Sequence, residues 1–88
     1  MVIFAVTRNG FIELEPILST GLYPVWVWVG DGVLDENEID SLRSRNVDIT
    51  KFNYEISPED RKSLDGALST IAEHHPGERV WIECQPII

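Results

Sequence analysis

Five consecutive bulky apolar residues, Val25-Trp26-Val27-Trp28-Val29, constrain this chain more than any other feature. A strand with one wet face alternates apolar and polar residues. A run with no polar position belongs instead in the interior of a sheet covered on both faces. Gly30-Asp31-Gly32 stops the run. Interior strands of this kind take parallel neighbours reached through crossover helices, and the sequence beyond Gly32 supplies two of them.

The first crossover has a clear start. Asp35 suits the N-cap, Glu38 three residues later completes a capping box, and Leu34 and Ile39 take the positions of a hydrophobic staple. The predicted helix runs to about Arg45, with Glu36 and Glu38 in its first turn and Arg43 and Arg45 in its last, as the macrodipole favours. Residues 47–56 read as a half-exposed strand with Phe52, Tyr54 and Ile56 on one side and Lys51, Asn53 and Glu55 on the other. Ser57-Pro58 then reads as an N-cap followed by proline at the first helical position. Leu64, Ala67, Leu68, Ile71 and Ala72 follow at the spacing of one helical face. This second helix ends near His75, before Pro76-Gly77, and Val80-Trp81-Ile82-Glu83-Cys84 forms the last strand.

Ahead of this βαβαβ run, residues 2–8 are rich in β-branched and aromatic types and lead into Asn9-Gly10. That dipeptide is a strong hairpin signal, because both positions of a type I′ turn need positive φ. Residues 11–15 would return as the second strand, Pro16 would end it, and Ser19, Thr20, Gly21 and Pro24 would make a loop. The expected fold class is therefore α/β. An N-terminal β-hairpin precedes the βαβαβ run in a two-layer sandwich, with a mixed, largely parallel sheet and two helices mainly on one face. Strand parity sends Phe52, Tyr54, Ile56, Val80, Ile82 and Cys84 toward the helices. Trp81 and Glu83 would lie on the uncovered face, together with either Trp26 and Trp28 or their valine neighbours.

With 88 residues there is room for one hydrophobic core, so residues 1–88 are read as a single α/β domain. Such a small core is thin, and a partner or second copy that covers more of it would add stability. Fifteen acidic residues against seven basic ones give a net charge of −8, and residues 9–42 contain no Lys or Arg at all. Nucleic-acid and anionic-membrane binding need a basic stripe, so neither is expected. Cys84 is the only cysteine, which excludes an intrachain disulfide and favours the cytoplasm. The N-terminal apolar stretch lacks a basic region before it, and no run reaches the ~18 apolar residues of a membrane span, so neither a signal peptide nor a span is expected.

Motifs that carry chemistry are sparse. In open parallel sheets ligands bind beyond the carboxyl ends of the strands, which singles out Asp31 and Ser57, with Gln85 at the same rim. Asp31 between glycines is also an ordinary turn residue, and the segment lacks the glycines and bases of a phosphate-cradling loop. Val33 and Leu34 stand where a calcium loop would place ligands, and adjacent His74 and His75 cannot make the i, i+4 pair of a zinc site. No metal and no cofactor is expected. Cys84 has no basic neighbour to activate it, and no serine sits in a GxSxG elbow.

The three tryptophans, Trp26, Trp28 and Trp81, are the candidate interface residues, because an open sheet face carrying indoles marks a docking surface. Two readings follow. The first is a small protein-interaction or regulatory module that binds a protein partner or itself, through the sheet face or the acidic first-helix region. The second is a small enzyme or ligand-binding protein with its site around Asp31 and Ser57. A pocket holding Asp31 beside another convergent polar group would favour the second, and an exposed tryptophan face the first.

Overall fold

The computed structural model describes residues 1–18 and 25–83. Along the chain run β1 (Val2–Ala5), α1 (Arg8–Leu18), β2 (Trp26–Val29), α2 (Glu36–Ser44), β3 (Asp48–Lys51), α3 (Arg61–His74) and β4 (Val80–Ile82). The fold is α/β. The four strands form one sheet in the order β3-β2-β1-β4, and every neighbouring pair is parallel.

The topology explains where the helices lie. From β1 to β2 to β3 the chain moves one way across the sheet, so its right-handed crossovers α1 and α2 share a face; the return from β3 to β4 runs the other way and puts α3 on the opposite face. Two apolar clusters record this. Ala5, Val27, Val29 and Ile49 pack with Phe11 of α1 and with Ile39 and Leu42 of α2. Val2, Phe4, Trp28 and Phe52 pack with Ala67 and Ile71 of α3. The expected two-layer arrangement with helices on one face is thus corrected to helices on both faces. The all-apolar β2 run, with Val27 and Val29 facing one cluster and Trp28 the other, is the strand such a sheet buries at its centre.

The expected hairpin does not form, and with it goes the antiparallel pair of a mixed sheet. Residues 8–18 are the helix α1, and among the described residues left-handed backbone occurs at Gly32, Asn46 and Gly77, not at Asn9 or Gly10. Phe11, Leu14 and Leu18 fall at i, i+3 and i+7, a helical stripe that packs on β1 and β2. A local turn signal lost to that burial. Pro16 lies inside α1, close to its end, where one backbone hydrogen bond is withheld.

Two boundaries also moved. The strand expected over 47–56 is β3 alone, since Phe52 and Ile56 are buried in a loop rather than along a ladder, while Tyr54 is exposed. The cap of α3 is Asp60, which accepts from the amides of Lys62 and Ser63, not Ser57, whose hydroxyl accepts from Glu59 in a preceding turn. The capping box of α2 forms as read, with Asp35 accepting from the Glu38 amide and Glu38 from the Asp35 amide. Cys84 and Gln85, like the loop assigned to Ser19–Pro24, lie outside the described residues.

Candidate functional site

All four strands point the same way, so their carboxyl ends gather at one rim. There the turns after β1, β2 and β3 and the start of α3 enclose an open cavity of about 370 Å³, whose polar lining includes Thr7, Asp31, Glu55, Ser57, Asp60 and Ser63. The structure therefore brings Asp31 and Ser57 into one cavity. Their roles there are chiefly structural. Gly32 has φ +86°, so Gly30-Asp31-Gly32 is a turn that needs its glycine, and the Asp31 carboxylate lies 3.6 Å from Lys51 Nζ. Asp60 is held below the ordinary carboxylate range, first by hydrogen bonds from the Ser63 hydroxyl and amide and then by the Lys62 amide.

Chemically the cavity offers carboxylate and hydroxyl acceptors, which suit a small cationic or hydroxyl-rich molecule. Arg8 also lines the cavity, with its guanidinium held in a two-pronged pair with Glu38, at 2.7 Å for each contact. Among the described residues no group of three or more His, Cys, Asp and Glu is set to hold a metal.

The crevice at the switch point, between β1 and β4, is filled by a side chain that sequence reasoning assigned to an uncovered face. Glu83 follows β4 directly and is 7% exposed. Its carboxylate accepts the amides of Val6 and Thr7 and, at 2.6 Å, the Thr7 hydroxyl. The Thr7 hydroxyl in turn accepts the Gly10 amide at 3.0 Å. A Cβ at position 10 would collide with this carboxylate, which is the physical reason for glycine in the first turn of α1. The chain's own anion thus sits where a helix start would otherwise attract a foreign one. The parity that paired Glu83 with Trp81 was right; only the β1–β4 adjacency could reveal what lay above it.

The tryptophans separate. Trp28 is buried, and its indole N–H donates to His75 Nε2 at 3.1 Å. Trp26 is half-buried, its ring centre 4.7 Å from that of His75. Both face α3, whereas Trp81 pairs in register with Ile3 and so points to the α1 side. Trp81 is 48% exposed and Ile82 43%, and the Arg79 guanidinium stands 6.0 Å from the Trp81 ring centre. Of the three candidate interface residues, Trp81 is the one the fold leaves accessible; packing against α3 accounts for the other two.

Among the described residues β4 pairs on one side only. Val2 donates to the Arg79 carbonyl at 2.8 Å and Glu83 to the Phe4 carbonyl at 3.2 Å, so residues 79, 81 and 83 face β1. In a parallel ladder alternate residues bond to the same neighbour, so the amides and carbonyls of Val80 and Ile82 point out from the sheet.

Sheet and helices together define a small, doubly wound α/β protein with an all-parallel sheet. No protein-family model, curated protein or solved structure matches the chain. Among the described residues no helix is long and apolar enough to cross a membrane.

Proposed function

We propose that this chain is a small protein-interaction module that docks a protein partner along the outer edge of β4, with Trp81 and Ile82 as anchors. The observation that carries this reading is the adjacency of two exposed apolar side chains on an edge strand with outward backbone groups. An added strand takes main-chain hydrogen bonds from Val80 and Ile82, and desolvation of the Trp81 indole supplies affinity. The acid excess of residues 9–42 keeps nucleic acid away, and the lone cysteine suits the cytoplasm.

Co-purification on the tagged chain, read by mass spectrometry, tests the reading. Trp81→Ala is expected to lose the captured protein while its circular dichroism matches wild type. Capture unaffected by Trp81→Ala would refute docking at this edge.

A second reading is supported by the cavity that holds Asp31 and Ser57 at the strand ends, the position where open parallel sheets take ligands. There the chain binds a small cationic or hydroxyl-rich molecule, with Asp31, Glu55 and Ser57 as acceptors. A thermal-shift screen of polyamines and polyols that leaves the midpoint unmoved would refute it.

A further inference from the structure

We infer that the protein docked on the β4 edge is a second copy of this chain, added antiparallel about a twofold axis at Trp81. The inference rests on the interaction-module reading and names its partner.

A twofold interface uses the same patch on both copies, so the patch must complement itself. The β4 edge does so in one register. With Trp81 opposite Trp81, Val80 of each copy lies opposite the partner's Ile82. These are the residues whose amides and carbonyls point outward, so each pair exchanges two hydrogen bonds. The central tryptophans then form a non-hydrogen-bonded pair, the kind in which opposed side chains approach most closely. On the α3 side the aliphatic groups of Val80 and Ile82 meet; on the α1 side the two indoles meet.

Charge does not oppose this register. Each copy carries −8, which opposes random association. Along the Trp81-centred pairing Arg79 falls opposite the partner's Glu83, whose carboxylate is buried against Val6 and Thr7, so no two exposed like charges meet there. Centring on Val80 instead would set Ile82 against the partner's Glu78, a carboxylate already held 2.9 Å from the chain's N-terminal ammonium. Within residues 79–83 the Trp81 centre leaves no charge opposite an apolar side chain. The result is a closed dimer with a continuous sheet of twice four strands.

Ile82→Pro is the discriminating variant. The Ile82 amide points outward, so proline there removes a bond to the second copy and none to β1. Sedimentation velocity over a concentration series is expected to show a wild-type monomer–dimer equilibrium. Ile82→Pro and Trp81→Ala should each weaken dimerisation more than about tenfold while the circular dichroism stays unchanged. A wild-type dimer that persists undiminished in both folded variants would overturn the inference by placing the interface elsewhere. If the wild type stays monomeric at millimolar concentration and yet captures a protein that Ile82→Pro loses, the second copy is refuted and the docking edge survives. A monomer that captures nothing refutes both. Should Ile82→Pro fail to fold, Trp81→Ala alone decides between these outcomes.

Discussion

The two edges of the sheet are built to opposite rules. β3 begins with exposed Asp48 and ends with Lys51, and between them Ile49 is buried beneath α2. β4 is three residues long, carries no charge, and presents Trp81 and Ile82 to solvent. Charged termini on an edge strand discourage the approach of another strand, whereas an apolar edge invites it. Among the described residues both strands pair on one side only, so an unpaired edge alone does not mark an interface. The side chains decide which edge is closed and which is open. What holds each strand in place differs as well: α2 packs over β3, while β4 is tied to the start of α1 through Glu83.

Removing that tie should break the β4 side first. Glu83→Ala takes the acceptor from the Val6 and Thr7 amides, an effect of about 1–3 kcal/mol when buried donors are left unmet. Amide hydrogen exchange should then quicken at Trp81 and Glu83 much more than at Thr50. Uniform acceleration across the sheet would mean that Glu83 supports the whole core rather than one edge.

Erasing the difference between the edges is the next test. Asp48→Val combined with Lys51→Val gives β3 an apolar edge like that of β4. Two open edges permit end-to-end growth, so light scattering should show species larger than a dimer that rise with concentration. A double variant indistinguishable from wild type would show that α2, and not charge, protects β3.

The β3 side depends in turn on α2. Asp35→Ala removes the acceptor for the Glu38 amide and should lower stability by about 1 kcal/mol in chemical denaturation. Because α2 serves β3, dimerisation through β4 should be untouched. A loss of association in this variant would contradict the assignment of separate roles to the two edges.

The smallest expected effect concerns acid. Glu38 is lowered from an ordinary 4.5 to about 2, mainly by its hydrogen bonds from Arg8 and then by the Asp35 amide. Its native form is the ionised one, so its contribution is complete above about pH 4.5 and fades as the pH falls through about 2. Arg8 and Glu38 are surface groups, and such pairs stabilise little. Glu38→Gln should therefore flatten the stability–pH curve only within that acid window. An unchanged acid limb would show that Asp60, also lowered by its hydrogen bonds, carries the dependence.

The βαβαβ part of the chain, from β2 to β4, was legible because its signals are local and agree with one another. Asp35, Glu38, Leu34 and Ile39 specify a helix start within a few residues, and the all-apolar β2 run demands cover on both faces. Asn9-Gly10 misled for the same reason that the others succeeded: it is a local signal, and a turn propensity is small beside the burial of Phe11, Leu14 and Leu18 against β1 and β2. At the rim, Asp31 follows β2 closely as read, whereas Ser57 reaches the same cavity from the loop beyond β3 rather than from a strand end. Glu83 could not be placed from local signals, since its partners Val6 and Thr7 lie more than seventy residues away along the chain.

By itself, then, the sequence determined the α/β class, the cap and span of α2, the apolar face of α3 and the burial of β2, all of which follow from propensity and periodicity over short windows. Tertiary structure alone decided strand order, the face each helix covers, the clamp between Glu83 and the start of α1, and which of three tryptophans meets solvent. Those properties depend on which strands become neighbours, and neighbours are chosen by total burial across the sheet rather than by any residue's own preference.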